Sequence, residues 1–422
     1  TTYSKNLNTL TDMEINKISI PEGWRKIPIS ECVVEKKKSP IKVDDAAIFG
    51  QYPFFTSGEA VLQHDCKLID GENLYLATGG MANVKYFNGE AAYSTDTYVL
   101  GTKENICPKF MYYVLLFLKQ YIDINYFQGS GLKHLQKKDF KRHEIIIPGS
   151  KDEQQRIADA LSKLDDSLSQ TQSLIDKYEL IKRGLMQDLL TFGIDKKGNV
   201  RSEKTHKFKD SPLGRIPEEW ECATFKDVAG NISDYIKTGP FGSSLKGEHW
   251  RETGVPVITI GALGEDEFIS DNLLFISQEK ANELYKYSLK EGDILFSRVA
   301  DVGRSLIIDK NHVGWIMSSN FMRLRIDTDI INPIIIYLNI KFCGQFKTQI
   351  NRNVNSSGRA VTNTSILNSL LIPKMDKYEQ ERIVNTYMRL VATHEAMARE
   401  QHSLYNQKQG LLSDLLTGKV RI

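Results

Sequence analysis

Groups that form hydrogen bonds or carry positive charge gather in a few stretches of this chain that also contain turn-forming glycine and serine. Amides, hydroxyls and arginines match the donor and acceptor pattern of a ligand, and lysines attract anions. The chemistry that these residues favour is binding and discrimination rather than bond-making. The stretches are "TGGMANVKY" (78–86), "QGSGLKHLQKKD" (128–139), "KTGPFGSSLKGEHW" (237–250), the turn between Arg298 and Arg304, and "NRNVNSSGRAVTN" (351–363).

Motifs for covalent chemistry are missing from the same sequence. An amino-methyltransferase would carry D/N-P-P-Y/F and a glycine-rich cofactor loop. Here "NPII" at Asn332 does not match the first, and "GSGLKH" at Gly129 does not lead from a strand into a helix. The chain has no G-x-x-x-x-G-K-S/T loop for ATP, and its eight histidines and five cysteines show no metal-ligand spacing. We therefore expect no catalytic residue, no metal site and no cofactor bound by this chain.

Length and composition indicate a multidomain globular protein. A chain of 422 residues should divide into two or three domains, and its 41% hydrophobic and 26% charged residues are ordinary. No stretch approaches the roughly 20 apolar residues that cross a bilayer, and the first residues lack the order of a signal peptide, so we expect a cytoplasmic location. The formal net charge is only +2, so basic residues must act locally. The basic segment 196–210 is predicted to be a solvated linker, because it is poor in apolar residues.

The sequence contains an internal repeat, in which one long unit occurs twice. "ISIPEGWRKIPISECV" (18–33) resembles "GRIPEEWECATFKDVA" (214–229), and "HEIIIPGSKDEQQRI" (143–157) resembles "SLLIPKMDKYEQERI" (369–383). From the second pair onward the two copies continue without a gap through a shared "DLLT". The repeat predicts two similar globular domains, each followed by a segment of fixed length.

Each fixed-length segment has the 4-3 spacing of a coiled-coil seam, from Ile157 to Leu189 and from Ile383 to Leu415. A helix of about 38 residues is roughly 57 Å long, which exceeds the diameter of one such domain, so the simplest arrangement pairs the two helices antiparallel. The predicted fold class is α+β, with two similar globular domains joined by a coiled-coil spacer in a pseudo-twofold, circular organisation. The predicted boundaries are 1–150 (first domain), 151–192 (first spacer helix), 193–375 (linker and second domain) and 376–422 (second spacer helix and tail).

Three polar residues interrupt the second seam. His394, Gln401 and Lys408 occupy seam positions at which the first copy has Leu168, Ile175 and Lys182. Buried polar residues at a seam can fix the register of two helices. Alternatively, these residues face solvent where the seam opens, and the sequence leaves both interpretations open.

The order of these features resembles the specificity subunit of type I restriction-modification systems. The resemblance covers the whole chain and rests on the "IPEGW" and "IPEEW" openings, "EGDILFSR" (291–298), and "IP" followed by "EQxRI" and a helix that ends in "DLLTG". It implies two target recognition domains that read the halves of a split double-stranded DNA target. It also implies spacer helices that receive two modification subunits and, through them, restriction subunits. The first half departs from the pattern, since "GENLYLAT" (71–78) lacks the arginine.

The resemblance further implies that the chain is not an enzyme and that S-adenosylmethionine, ATP and magnesium are bound by its partners. Two rival interpretations are a self-contained enzyme that both recognises and modifies DNA, and a scaffold that binds other proteins. Methyl transfer by the purified chain would support the first. Absence of salt-dependent DNA binding, even with the modification subunits, would support the second.

Given this resemblance, the polar stretches described at the start of this section are the candidates for DNA binding. Arginine pairs with guanine and asparagine or glutamine with adenine, whereas lysines contact phosphates. One hypothesis is that Arg304 or Arg359 reads a base. The candidates are Thr78, Gly79, Gly80, Asn83, Lys85, Lys133, His134, Lys137 and Lys138 in the first half, and Lys237, Ser243, Ser244, Lys246, Arg298, Arg304, Arg352, Arg359 and Asn363 in the second.

Each of these assignments has a structural alternative. The "TGG" stretch is also a plain hairpin turn, the lysines after residue 132 also suit a solvated face, and Arg298 or Arg304 could pair with a carboxylate such as Asp301. The repeated "EQQRI" and "EQERI" could dock the modification subunits, or could simply place acidic residues at the positive ends of the helices. Their residues are Glu153, Gln154 and Arg156 in the first copy and Glu379, Gln380 and Arg382 in the second.

Overall fold

A computed structural model describes residues 20–353 and 361–422 and gives a mixed α/β architecture. The chain forms two compact units. Unit 1 consists of the chain up to Ser173 together with Ala398–Ile422, and unit 2 consists of Leu174–Met397. Two long helices, Lys151–Phe192 and Lys377–Leu416, therefore contribute to both units. The predicted division into four consecutive segments differs from this one, because each spacer helix is shared between units instead of standing apart.

Unit 1 contains eleven strands and three short helices in its described residues, besides portions of the long helices. Two 3-10 turns, Ile29–Glu31 and Val43–Asp45, complete it. The elements are β1 (Trp24–Pro28), β2 (Val33–Glu35), β3 (Tyr52–Phe55), β4 (Val61–His64), β5 (Glu72–Ala77), β6 (Val84–Asn88), β7 (Ala92–Tyr93), β8 (Thr97–Thr102), α1 (Pro108–Phe117), α2 (Lys119–Tyr126), β9 (Phe127–Gln128), β10 (His134–Leu135), α3 (Lys137–Arg142) and β11 (Glu144–Pro148).

The central sheet of unit 1 has the order β2-β8-β5-β6, and its neighbouring strands are antiparallel. Strand β5, "ENLYLA", is buried at every position after the first because it lies between β8 and β6 and is covered on both faces. A second sheet has the order β4-β3-β7, and β1 pairs with β11 so that Trp24 lies opposite Pro148. The core between the central sheet, the short helices and the long helices is apolar and includes Phe110 and Leu161.

Unit 2 contains twelve strands and five short helices in its described residues, besides portions of the long helices. The elements are β12 (Phe208–Ser211), β13 (Gly214–Pro217), β14 (Glu221–Thr224), α4 (Phe225–Ala229), β15 (Ile236–Thr238), β16 (Trp250–Arg251), β17 (Val255–Ile258), β18 (Leu274–Ile276), α5 (Gln278–Glu283), β19 (Ile294–Ser297), β20 (Ser305–Ile307), β21 (Ile316–Met317), β22 (Phe321–Leu324), α6 (Pro333–Phe342), α7 (Gly344–Asn353), α8 (Thr364–Ser369) and β23 (Leu371–Lys374). Short 3-10 turns lie at Gly242–Ser244, Gly247–His249, Ile260–Ala262, Ser270–Asn272, Tyr285–Tyr287 and Lys310–His312.

The central sheet, the second sheet and the terminal strand pair of unit 1 all recur in unit 2. The order β15-β22-β19-β20 corresponds to β2-β8-β5-β6, and β14 pairs with β23 as β1 pairs with β11. In the second sheet β17 pairs in parallel with β21, as β3 does with β7, and β16 is an added strand. The internal repeat of the sequence is therefore a repeat of topology, and the extra length of the second copy includes this added strand.

Within each unit the portions of the two long helices run antiparallel. In unit 1, Lys408 Nζ lies 2.5 Å from Asp165 Oδ1, and Gln401 Nε2 donates to Gln172 Oε1 at 2.6 Å. Moving seven residues forward on the first helix, from Asp165 to Gln172, therefore corresponds to moving seven residues back on the second, from Lys408 to Gln401. In unit 2, His394 Nε2 lies 3.2 Å from Glu179 Oε1. All three polar seam residues therefore face a polar group of the other helix, which favours the register-fixing interpretation of the sequence.

A buried carboxylate at the start of each long helix holds three distant stretches of its unit together. In unit 2, Glu379 accepts from the indole Nε1 of Trp220 at 2.9 Å, from the Arg201 guanidinium, and from the N–H of Ile194 at 2.7 Å. In unit 1, Glu153 accepts from Trp24 Nε1 at 3.2 Å and from two nitrogens of Arg421 at 3.0 Å each. We call each group of glutamate, tryptophan and arginine a carboxylate clamp.

The glutamine that follows each clamp glutamate also forms hydrogen bonds inside its unit. Gln154 Nε2 donates to the Pro148 carbonyl at 3.0 Å, and its Oε1 accepts from the N–H of Cys107, the capping residue of α1, at 2.8 Å. Gln380 repeats the pattern in unit 2, where its Oε1 accepts at 2.7 Å from the N–H of Asn332, which caps α6. Each glutamine therefore links the end of a strand, the start of a short helix and the first turn of a long helix.

The basic segment 196–210 is not the solvated linker that its composition predicts. Arg201 is buried against Glu379, Val200 bridges Ile194, and Phe208 begins β12, which pairs with β13. The reason is that a single arginine satisfies a buried carboxylate elsewhere in the unit, and Val200 and Phe208 add apolar contacts, so the segment is anchored to unit 2. The lysines of this segment stay exposed, as expected.

We predict that Glu379→Gln destabilises unit 2 by about 3–5 kcal/mol, because it leaves a buried guanidinium without its carboxylate. The Arg201 side chain is only 9% exposed. The matched change Glu153→Gln in unit 1 should cost much less, since Arg421 is 46% exposed and water can replace its partner. Hydrogen exchange of the β1 and β14 amides at increasing urea concentration measures the two units separately. Equal losses in both units would contradict this prediction.

Candidate nucleic-acid interface

The two polar stretches predicted in the first half of the chain meet in unit 1. Gly79 and His134 form an isolated β-bridge, the N–H of Gly80 donates to the Lys133 carbonyl at 2.9 Å, and the N–H of Leu135 donates to the Thr78 carbonyl at 3.0 Å. A turn between β5 and β6 is thus paired with the loop before α3. We call residues 78–83 with 129–135, and their equivalents in unit 2, a turn–loop pair.

Glycine is required at two points of this pair. Gly80 has a φ of 82°, a conformation that glycine adopts without strain. At Gly129 a Cβ atom would lie 2.6 Å from the Leu132 carbonyl oxygen, and φ is 150°. The hairpin-turn interpretation of "TGG" is therefore correct for the backbone, and it does not compete with a binding role for the side chains around it.

Several polar side chains of the turn are held by their own unit. Asn83 Nδ2 donates to the Gly58 carbonyl at 3.0 Å, Lys85 Nζ donates to the Thr56 carbonyl at 3.0 Å, and Thr78 Oγ1 donates to the Asp96 carbonyl at 2.6 Å. Burial also lowers the pKa of the Lys85 ammonium. These residues fix the turn against the neighbouring loop, so contact with a base by Asn83 or Lys85 stays a prediction that their present contacts do not favour.

The exposed residues of the pair are partly different from those that the sequence indicated. Lys133 and His134 are exposed, as predicted, but so are Met81 at 73% and Leu132 at 65%. Apolar side chains at a reading surface can contact the methyl group of thymine. Met81 and Leu132 are apolar residues inside glycine-rich polar stretches. That position could have indicated their exposure, but only amides, hydroxyls and cations were considered as binding groups.

Unit 2 contains the equivalent turn–loop pair. Val299 bridges Val361, and the N–H of Thr362 donates to the Arg298 carbonyl at 2.9 Å, matching the contacts of Gly79 and Leu135. Its turn lies between β19 and β20 and has Ala300 at a φ of 63°. A non-glycine residue in this region is uncommon and is found where the surrounding structure imposes it. The two units therefore share a backbone arrangement, whereas the side chains on it differ.

Arg298 ties three segments of unit 2 together. Its Nε donates to the Thr362 carbonyl at 3.4 Å, its Nη1 donates to the Ser319 carbonyl at 3.3 Å, and its guanidinium lies 5.2 Å from the centre of the Phe241 ring. Phe241 is 58% exposed although it is aromatic. The sequence pointed to the hydroxyls beside Phe241 and missed the ring itself, which is an exposed apolar group next to this pair.

Arg304 follows the structural alternative. Its Nε lies 3.6 Å from Asp301 Oδ2, and its Nη2 donates weakly to the Ile260 carbonyl at 3.5 Å. Both contacts are long, so base reading by Arg304 stays a prediction. Arg359, the other residue predicted to read a base, lies outside the described residues, as does the side chain of Ser243.

The remaining candidates of unit 2 are mostly engaged locally. Lys237 Nζ lies 2.7 Å from Asp234 Oδ2, Lys246 Nζ lies 4.0 Å from Glu248, and Asn363 Oδ1 caps α8 by accepting from the N–H of Ile366 at 2.9 Å. Arg352 is exposed in the last turn of α7, and Ser244 is partly exposed. Arg352 lines a groove of about 460 Å³ that also includes Gln345, Gln349 and Asp188.

The residues predicted to dock a partner have roles inside the units. Glu153, Gln154, Glu379 and Gln380 are buried and take part in the clamps and strand-end bonds described above. A buried side chain with satisfied hydrogen bonds offers no surface to a separate protein, so docking through these four residues is not supported. Arg156 Nε donates to the Ile422 carbonyl at 3.0 Å, and Arg382 Nη1 to the carbonyls of residues 195 and 196. Docking through the two arginines, which are less buried, stays a prediction.

Comparison with known proteins identifies the family. A family model described as the type I restriction modification DNA specificity domain matches residues 21–177 and again residues 217–404. The chain belongs to this family. The two matches fall on the two copies of the repeat, and together they cover most of the sequence.

Relatives with curated names agree with this assignment. The chain is 24% identical over 440 aligned positions to the type I restriction enzyme MjaVIII specificity subunit of Methanocaldococcus jannaschii, covering 97% of this chain and 96% of the relative. It is 28% identical over 239 positions to the EcoDI specificity subunit of Escherichia coli, covering 52% and 51%. The predicted resemblance to type I specificity subunits is thus confirmed.

Solved structures share the fold of this type I specificity subunit. The S subunit of a type I system from M. genitalium matches with a TM-score of 0.58 at 18% identity, covering 95% of this chain and 96% of that one. A chain from a study of complex assembly and conformational transition in the type I system matches with a TM-score of 0.57 at 15% identity, covering 95% and 100%. At these identities the likeness extends to the fold alone.

Two further observations concern the described part of the chain. Within residues 20–353 and 361–422, no three histidine, cysteine, aspartate or glutamate side chains come close enough to hold a metal ion. Over the same residues, no helix has both the length and the apolar composition that membrane crossing demands.

We predict that Arg298→Ala loosens the turn–loop pair of unit 2, because two carbonyls and an aromatic ring lose their shared partner. The amide of Thr362 should exchange about tenfold faster, the equivalent of about 1.4 kcal/mol. Arg304→Ala serves as the control, since it removes an ion pair to an exposed carboxylate and a weak bond to the Ile260 carbonyl and should leave this amide unchanged. Equal acceleration in both variants would show that Arg298 does not hold the pair.

Proposed function

We propose that this chain is the non-catalytic DNA-recognition subunit of a type I restriction-modification complex. Each unit reads one half of a split double-stranded target, and the long helices hold the two readers a set distance apart. Two modification subunits dock on the repeated helical surfaces and bring restriction subunits with them. S-adenosylmethionine, ATP and magnesium act on those partners, and the complex works in the cytoplasm.

The observation that carries this proposal is the turn–loop pair, which occurs in both units with the same backbone contacts and different exposed side chains. Unit 1 presents Met81, Leu132 and Lys133, whereas unit 2 presents Phe241 beside Arg298. Base edges are read by hydrogen bonds and apolar contacts from such side chains. Two readers built on one scaffold with different groups support a target whose two halves differ in sequence.

The spacing role is supported by the pairing of polar seam residues within each unit. Asp165 with Lys408 and Gln172 with Gln401 fix the register in unit 1, and Glu179 with His394 does so in unit 2. A pair of helices in a fixed register cannot slide, so the distance that it spans is constant. A constant distance between readers predicts a target with an unspecified middle, on the order of one helical turn of about 34–36 Å between half-site centres.

We predict that seven residues inserted into both long helices at the facing residues Gln172 and Gln401 widen the unspecified gap without changing either half-site. Seven helical residues add about 10 Å, which corresponds to up to about three base-pair steps. Mapping methylated positions in the genome of cells that express the modified complex measures both half-sites and the gap.

The control carries the same insertion in the first helix only, and it should assemble poorly because the polar seam pairs no longer align. Loss of one half-site in the doubly extended chain would contradict the spacer role. Methylation by the purified chain without its partners would contradict the non-catalytic role.

A further inference from the structure

Unit 1 carries a concentration of lysines that the folded chain assembles from two distant stretches. The run "KKK" at 36–38 follows β2, and Lys137, Lys138 and Lys141 belong to α3. Glu35 lies between these stretches: it is 3.4 Å from Lys141 Nζ and accepts from the Tyr98 hydroxyl at 3.0 Å, and the charge of Lys38 is close enough to act on Lys137. The Lys137 ammonium lies 4.0 Å from the centre of the same Tyr98 ring. We call Lys36, Lys37, Lys38, Lys137, Lys138 and Lys141 the lysine ridge.

The backbone that carries the ridge is pinned to its unit. The N–H of Lys36 donates to the Val99 carbonyl at 3.0 Å, and the Lys37 carbonyl accepts from the Tyr93 hydroxyl at 2.7 Å. The stem of Lys36 lies over Gly101, where a Cβ atom would approach Lys36 Cε to 2.7 Å. The charges are therefore presented from a fixed base, with Lys36, Lys37, Lys38 and Lys138 exposed.

The ridge is short of negative charge. Residues 34–42 and 133–142 include nine lysines and arginines but only two acidic residues, Glu35 and Asp139. Glu35 is shared with Lys141, and Asp139 lies 3.7 Å from Arg142. Burial lowers the pKa of Lys137, and the nearby charges of Lys38 and Lys141 lower it further although Glu35 opposes them. Uncompensated positive charges on neighbouring segments of one surface favour an anion there.

The equivalent surface of unit 2 lacks this charge. By strand register Lys36 corresponds to Lys237, and α3, "KKDFKR", corresponds to α8, "TSILNS". Residues 235–243 and 361–369 together contain a single basic residue, Lys237, whose ammonium lies 2.7 Å from the Asp234 carboxylate. The ridge is thus a property of unit 1 and not of the shared fold.

We propose that the lysine ridge binds the phosphodiester backbone of a DNA duplex beside the half-site that unit 1 reads, and that unit 1 supplies most of the sequence-independent affinity. The inference rests on the proposed function and deepens it. Helix α3 begins two residues after Leu135 of the turn–loop pair, so the ridge flanks the reading surface. Phosphate contacts that flank base contacts set the position of a protein on DNA.

The test compares two triple variants of the full chain, each assembled with its modification subunits. Lys36→Gln, Lys38→Gln and Lys138→Gln remove three ridge charges. Lys197→Gln, Lys204→Gln and Lys207→Gln remove the same charge from the exposed lysines of the basic segment 196–210. Binding to a labelled duplex of random sequence is measured from about 50 to about 200 mM salt. A second duplex, which carries the target sequence found by mapping methylated positions, is measured in parallel.

The ridge variant should bind the random duplex more weakly, and its plot of log affinity against log salt should be flatter by about 2.7, because each lost phosphate contact removes about 0.9. Its preference for the target duplex should persist, and the control variant should keep the wild-type slope. An unchanged slope in the ridge variant, or equal changes in both variants, would overturn the inference.

Assembly separates the ridge from the proposed function itself. A ridge variant that no longer assembles with the modification subunits would show that the ridge binds protein and would also overturn the inference. Failure of the wild-type complex to prefer the target duplex would instead overturn the proposed function. Neither result can be mistaken for the other, because assembly, slope and preference are separate measurements.

Discussion

A carboxylate buried at the start of each long helix is the constraint on which the rest of the structure depends. Taking a charge out of water costs several kcal/mol unless a counter-charge and hydrogen bonds replace the water. Glu379 finds them in Trp220 and Arg201, and Glu153 finds them in Trp24 and Arg421. Tryptophan comes from the opening of each copy, and arginine from the segment after the other long helix. Each clamp therefore requires three distant stretches to be in place together.

The clamps connect the long helices to the turn–loop pairs through a few hydrogen bonds and packed elements. In each unit the glutamine beside the clamp bonds the capping residue of a short helix that packs on the central sheet, and that sheet carries the turn–loop pair. The pair itself is held by backbone bonds, such as those of Gly80 in unit 1 and Thr362 in unit 2. Because backbone groups hold the scaffold, side chains on the turns can differ without altering the fold.

The internal repeat and the two long helices could be predicted from the sequence, because both produce long periodic patterns of residues. Two copies, two helices of fixed length and three polar seam positions all have local signals that survive folding. The roles of single polar residues could not be predicted in this way. Glu153 and Arg201 are of residue types that usually lie on the surface, and only the folded units show that Glu153 contacts Trp24 and that Arg201 contacts Glu379.

The turn–loop pairs were predictable in outline and not in detail for a related reason. Glycine and serine marked both stretches of each turn–loop pair, yet nothing in either stretch indicates that Gly79 lies beside His134. The exposed Met81 and Phe241 were missed because apolar residues normally indicate a core. The "KKK" run at 36–38 could be connected with the lysines of α3 only from the fold of unit 1, in which Lys38 lies near Lys137.

The unequal charge of the two units has a physical reason if both read bases. Every lysine on a phosphate adds affinity for all DNA, so it raises binding to wrong sites as much as to the target. A subunit that reads DNA needs enough of this affinity to find DNA and to orient on it, and one ridge can supply it for both units of one chain. A second ridge would raise binding to every competing site without raising the ratio between target and other DNA. Placing the charge in unit 1 leaves unit 2, with Lys237 neutralised by Asp234, to contribute through the groups on its turn.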